Sequence, residues 1–358
     1  MKKLIIIAML ICSGLSSPAF CAPLDRSKIP ANASWVIHYD GDSVNNSILM
    51  KTWIMGINFA KLSMDRDPQF QGDVAAQAKK QLDDFVTFLN YAREIKTITI
   101  VGNEIEKGFA MVVESSASRK KIEKLIGVTA KTSREKYGAH KLVKLTSLTA
   151  DGALYVCFYN DATIIVSDGK KKIKDQLDLL DGKKKPLSEE SELGKILKPG
   201  KSTFLFMAAY EPRKILDLKP GQKGESFVRK IKSFSFEAGA DNINTFSKLV
   251  INASDAEAAR DFSEVIKGFF ALGRLMKEEN EFTRIWIETQ KLSIKQKGKT
   301  VTVVSSTSIL DFFENMRKWQ ILNLRDMKKN KDKPGAKIQL KIFKTFSGRL
   351  PAKVVQTE

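Results

Sequence analysis

The sequence is poor in the residue types that most often carry chemistry. It has 358 residues but only 3 cysteines and 2 histidines. Cys12 and Cys21 lie near the N-terminus, and Cys157 sits in the apolar run Leu154–Tyr159. With the leader removed, one cysteine remains. It makes no intramolecular disulfide, so the fold must stand on its apolar core. Cys157 itself reads as a small buried hydrophobe. His38 and His140 are far apart in sequence, which leaves little for a transition-metal site. Neither a His-Glu-x-x-His pair nor a Gly-x-Ser-x-Gly elbow is present.

Two segments imitate known loops and fail on spacing. Asp40-Gly-Asp-Ser-Val-Asn-Asn46 starts like a calcium loop, but its glycine is misplaced and no closing glutamate follows. It reads as a strand end before a helix, with Asn45, Asn46 or Ser47 as the cap. Gly200-Lys-Ser202 resembles the end of a phosphate loop, yet the earlier glycine it needs is Lys195 and a strand follows. The acidic pairs Asp83-Asp84 and Glu189-Glu190 read as solvated surface. No catalytic, cofactor-binding or metal-binding residue is assigned, and no cofactor is expected.

Long apolar runs are absent beyond the first residues. There Lys2 and Lys3 precede the uncharged stretch Leu4–Leu15, which Ser16, Ser17 and Pro18 interrupt before Ala19-Phe-Cys-Ala22. That is the layout of a secretory signal peptide over residues 1–21, too short to span a membrane comfortably. A lipid anchor on Cys21 would want leucine and a small residue where Pro18 and Phe20 stand. The expected location is outside the cytoplasm, periplasmic or extracellular, with no transmembrane segment after the signal is lost.

What remains is globular and basic. Hydrophobic residues make up 43% and charged residues 28%, the balance of a folded chain rather than a disordered one. The 60 basic and 41 acidic residues give a net charge of +19. Such an excess attracts anionic material without naming it.

An internal repeat organises the rest. Arg93–Ile100 and Arg229–Phe236 share one alternating pattern 136 residues apart. Val112–Ser118 and Leu249–Asp255 both run from a strand into a helix start, 137 residues apart, and Thr163–Ser167 matches Thr300–Val304 at the same interval. Each half reads as strand, helix, strand pair, helix, strands. The expected fold is α+β: two tandem ferredoxin-like halves with mostly antiparallel sheets and helices on one face. The boundaries are a first domain at 30–180, a linker at 181–200, a second domain at 201–322 and a basic tail at 323–358. The helix expected at Asp255–Leu275 carries Phe262, Val265, Ile266 and Phe269 on one face.

The segment Ile29-Pro-Ala-Asn-Ala-Ser-Trp-Val-Ile-His-Tyr-Asp40 resembles the mature start of a set of uncharacterised exported bacterial proteins. In these a Pro-Ala-x-Ala segment enters a first strand ending in Asp, and a helix follows. The resemblance implies a bacterial origin and two related α+β halves. It brings no activity, cofactor or site residue.

The remaining candidates are lysine clusters: Lys170, Lys171 and Lys172; Lys183, Lys184 and Lys185; and Lys328–Lys333. Gathered on one side, they would form a patch for anionic lipid or a cell-surface polymer. No aromatic residues interleave with them as a stacking platform requires, which argues against specific nucleic-acid binding. The expectation is an exported, non-catalytic binding or scaffold protein. The alternative is an extracytoplasmic enzyme whose Asp, Glu, Lys or Ser residues are brought together only by the fold. N-terminal sequencing of exported material should find a start near Ala22 or Pro23; an intact Met1 would refute cleavage.

Overall fold

Strand β1 (Trp35–Asp40) has a partner on each side. It pairs antiparallel with β2 (Ile95–Gly102) and with β8 (Thr203–Tyr210), a strand from the other half of the chain. The computed structural model describes residues 24–47, 93–104, 108–123, 130–147, 153–216, 224–241, 243–275 and 290–312, with isolated positions elsewhere. Strands β3 (Ala110–Ser115), β4 (Ala130–Tyr137), β5 (His140–Ser147), β6 (Ala153–Phe158) and β7 (Thr163–Ser167) belong to the first half. The second adds β9 (Ile231–Ala240), β10 (Asn244–Ala253), β11 (Lys291–Lys297) and β12 (Thr300–Ser308).

All twelve form one sheet, in the order β11-β12-β10-β9-β8-β1-β2-β3-β7-β6-β5-β4. Counted outwards from the β1–β8 pair, β2 and β9 stand at equal distance, as do β3 and β10, and β7 and β12. These are the strands of the three repeated sequence blocks. The order within a half differs from the expected ferredoxin-like one. That plan interleaves its strands, whereas β8, β9 and β10 are neighbours in sequence and in the sheet. Two hairpins turn in two residues, Tyr137 facing His140 and Lys297 facing Thr300. Gly138 and Gly298 take φ of 56° there, the left-handed region such tight turns demand.

Helices cover both faces of this sheet, not one. Val36 and Ile37 are adjacent in β1 and so point to opposite faces. Val36 packs with Ile29, Val101, Leu187, Leu193 and Phe206, and Ile37 with Tyr39, Val44, Ile98 and Leu205. The register places Ile165 on the Val36 face through Val101, Ala110 and Val112. Ile165 packs against Ile173 and Leu177 of the helix Lys170–Leu180. The register places Leu249 and Val303 on the Ile37 face, where they meet Phe262 of the helix Ala256–Leu275. The cause is that central strands such as β8 are buried almost continuously along their length, so both faces need a cover.

The 181–200 segment is fastened to the residues just before β1. Leu187 is buried, its N–H donates to the Ile29 carbonyl at 2.7 Å, and the Ala31 N–H donates to the Lys185 carbonyl at 3.2 Å. Ser191 caps the short helix Glu192–Ile196. Apolar spacing in the sequence also predicts helices over 47–63 and 74–91 and a strand over Thr283–Gln290; these, the expected signal peptide and the tail beyond 323 lie wholly or largely outside the described residues.

The helix Ala256–Leu275 splits the apolar face read from its spacing. Phe262 is buried, but Val265 is 58% exposed and Phe269 73% exposed. Phe262→Ala should therefore cost about 3–5 kcal/mol in chemical denaturation, while Phe269→Ser should stay within about 0.5 kcal/mol of the parent. Equal losses would refute this orientation.

Candidate functional site

The residues that spacing singled out are occupied with structural work. Asp40 caps the short helix Gly41–Asn45 that follows β1, accepting the Ser43 N–H at 2.9 Å, and Asn46 closes that helix at its other end. Of the three caps the sequence offered, Ser47 takes that role for the turn that follows, its hydroxyl accepting the Met50 N–H at 2.8 Å. The Gly200 N–H donates to the Glu237 carboxylate at 2.9 Å. His38 is buried, with Nδ1 3.0 Å from the Thr99 hydroxyl. Burial pushes the Cys157 thiol up to about 11, so it stays protonated at neutral pH and makes a poor nucleophile. His140 opens β5, with Nε2 3.0 Å from Asp181 and its ring stacked on Tyr159. Among the described residues no group of three or more His, Cys, Asp or Glu is placed to hold a metal ion.

The six candidate lysines sit at the two ends of one helix. Lys170, Lys171 and Lys172 form the first turn of Lys170–Leu180, whose cap Gly169 provides no side-chain acceptor. Lys183, Lys184 and Lys185 follow its last turn, where the helix dipole favours cations. The Lys183 and Lys184 N–H groups fold back onto the Asp178 carbonyl at 2.7 and 3.1 Å. Three of the six are already neutralised. Lys170 pairs with Glu135, Lys183 with Asp181 at 2.8 Å, and Lys184 with Asp175 at 2.6 Å. Those hydrogen bonds raise the pKa of each of the three lysines. Lys171, Lys172 and Lys185 have no ion-pair partner among the described residues.

Lys172, Lys184 and Lys185 come together around a cleft of about 330 Å³. One wall is the Pro30–Ala33 turn, another the helix side bearing Asp175 and Gln176, and Val101, Gly102 and Ala110 of β2 and β3 supply apolar surface. Gly102 has to be glycine, since a Cβ there would lie 2.5 Å from the Trp35 ring. Gln176 is 1% exposed. Its Nε2 donates to the Lys28 carbonyl at 2.8 Å, and its Oε1 has no partner. The carbonyl fixes the amide orientation, because only the nitrogen end can donate to it. Nothing in the sequence pattern signals this site: Gln176 and Lys28 are 148 residues apart.

A second feature lies on the other face. Val265, Phe269, Leu272 and Leu275 recur at helical spacing along Ala256–Leu275, and Leu272 and Leu275 are 53% and 77% exposed. Between Val265 and Leu275 there is no acidic residue, while Lys267 and Arg274 are basic. No helix among the described residues is long and apolar enough to cross a membrane.

The class these features define is α+β, a large antiparallel sheet with few helices. No family model matches the chain, and no curated protein matches it. Solved structures of TP0453 are similar to it at 10% identity. Crystal form III gives a TM-score of 0.41 over 82% of this chain and 99% of that one. Form IV gives 0.40 over 82% and 97%. A likeness at this score and identity carries no argument about the present chain.

The backbone that holds Gln176 rests on a charge cluster. Lys28 pairs with Glu114 and with Asp25, and the Thr97 hydroxyl donates to Glu114 at 2.7 Å. Burial alone would raise the Glu114 pKa, but the hydrogen bonds from Lys28 and Thr97 outweigh it and hold the carboxyl below its ordinary 4.5. A carboxyl depressed on folding stabilises above its ordinary value, and that contribution is lost as pH falls through the lowered one. Glu114→Gln should therefore cost about 1 kcal/mol at neutral pH, modest because the pair keeps some contact with water and the amide can still accept from Lys28. Its stability should also fall less steeply than the parent's below about pH 4.5. Parallel pH profiles would refute the assignment.

Proposed function

We propose that this chain is an exported, non-catalytic binding protein of the periplasm or cell exterior, built from two copies of one α+β plan. It attaches to an anionic membrane surface through the helix Ala256–Leu275. The exposed stripe Val265, Phe269, Leu272 and Leu275 carries the reading. The same helix seats Ala258, Ala259 and Phe262 in the core, so the stripe projects from a fixed support. A row of large apolar side chains facing water marks an interaction surface rather than scattered exposure. The occupant is a lipid surface because the stripe is linear, belongs to an amphipathic helix and is accompanied by basic groups. The net charge of +19 supplies attraction to an anionic leaflet. The duplicated plan is supported by the matched positions of β2 with β9, β3 with β10 and β7 with β12.

Charge and insertion contribute separately. Each large apolar side chain taken out of water contributes about 2 kcal/mol, and each nearby lysine or arginine about 1 kcal/mol at low salt. Co-sedimentation with phosphatidylglycerol vesicles should show binding that weakens as salt rises. The Phe269→Ser/Leu272→Ser double variant should lose more than about tenfold in affinity while keeping the parent's thermal stability. Lys183, Lys184 and Lys185 changed together to Gln should have a smaller effect, since Lys183 and Lys184 are already paired. Equal vesicle binding by the parent and the serine double variant would overturn the reading.

A further inference from the structure

We propose that the cleft between the Pro30–Ala33 turn and the helix Lys170–Leu180 binds a small phosphorylated polyol, of which a glycerol phosphate is the simplest. The inference is independent of the apolar stripe, which lies on the opposite face of the sheet. Three observations define the ligand. The first is charge: Lys172, Lys184 and Lys185 line the cleft against the single carboxylate of Asp175. Asp175 is bonded to Lys184, so Lys172 and Lys185 remain for an incoming anion. No arginine lines the cleft. Lysines act as point charges, which suits a tetrahedral phosphate better than a planar carboxylate, the usual partner of a guanidinium fork.

The second observation is the Gln176 Oε1, a buried acceptor without a donor. The oxygen is closed to water in this structure, so a ligand hydroxyl reaches it only as the cleft wall shifts, and that contact recovers the free energy an unpaired acceptor costs. Inorganic phosphate in its dianionic form has only one O–H to offer, whereas a polyol has several; a second hydroxyl can donate to Asp175. The third is size. About 330 Å³ is at the lower limit for small-molecule sites, so the ligand is a headgroup-sized fragment. The Ala33, Val101 and Ala110 side chains make contact with its carbon skeleton.

Titration of the full-length mature protein with sn-glycerol 3-phosphate, followed by calorimetry or by amide shifts, tests this. Saturable binding at about 1 mM or tighter is expected. Inorganic phosphate should bind about tenfold more weakly and glycerol not at all. Lys172→Gln and Lys185→Gln should each weaken binding about tenfold. Both lysines are at least partly exposed, which keeps the test clear of folding. Lys171→Gln, a neighbour that does not line the cleft, should change nothing. Gln176→Met should erase the advantage of glycerol phosphate over phosphate. No saturable binding below about 10 mM, or equal weakening by Lys171→Gln and Lys172→Gln, would overturn the site. Two supporting outcomes separate the sources. Displacement from phosphatidylglycerol vesicles by free glycerol phosphate would assign the cleft to a lipid headgroup, and binding in solution without displacement would assign it to a soluble polyol phosphate. The Phe269→Ser/Leu272→Ser variant should still bind glycerol phosphate, so failure of the stripe and failure of the cleft are distinguishable.

Discussion

The pairing of β1 with β8 is the constraint on which the rest depends. It joins residues 35–39 to residues 205–209 by five register positions and makes one sheet of what would otherwise be two. Once the halves share a sheet, their central strands lose access to water on both faces. Each face must then be covered by something other than a strand. The Val36 face takes the Lys170–Leu180 helix and the segment around Leu187; the Ile37 face takes the Ala256–Leu275 helix and the chain after Asp40. The cleft is a by-product of this covering. It forms where the turn before β1, the ends of β2 and β3, and the Lys170–Leu180 helix converge without filling the space between them.

Electrostatics then decides which charges are free to act. The chain carries a large excess of lysine and arginine, yet many of these groups are committed. Lys28 holds Glu114 and Asp25, Lys248 holds the buried Glu237, and Lys184 holds Asp175. Glu237 is held below its ordinary range although burial opposes this, because Lys248, the Gly200 N–H and the Thr203 hydroxyl all bond its carboxylate. At the outer strands the excess has another use. Arg134 and Lys136 on β4, and Lys291, Lys295 and Lys297 on β11, put positive charge along the two outermost strands of the sheet among the described residues. Like charges there oppose the edge-to-edge pairing that an open sheet invites.

The fold was largely legible where strands alternate and turns carry their own chemistry. Ile95–Ile100, Thr163–Ser167 and Thr300–Val304 announce themselves, and so does Asn160, whose side chain accepts the Ala162 and Thr163 N–H groups. Strand β4 was not legible, because Thr132, Ser133, Arg134 and Lys136 give an edge strand no apolar face to show. Spacing also could not tell which apolar residues of Ala256–Leu275 face the sheet. Phe262 and Phe269 are both in phase with a helix, and only the packing of the other elements sends one inward and the other to water. The lysine clusters were visible, but their value depended on acids elsewhere in the chain: Glu135 for Lys170 and Asp175 for Lys184. Gln176 carries no signal at all, since its role comes from a backbone carbonyl 148 residues away.

The central position of β1 also sets an order in time. Its last residue, Asp40, precedes the first residue of β8, Thr203, by 163 positions. At a synthesis rate of about 5–20 residues per second, roughly 8–33 s separate their appearance. Through that interval one edge of the innermost strand has no neighbour. A first half released alone would thus present this central, largely buried strand as an open edge. The chain can complete its core only after both halves have emerged, so until then β1 is the segment that a holding factor would have to protect.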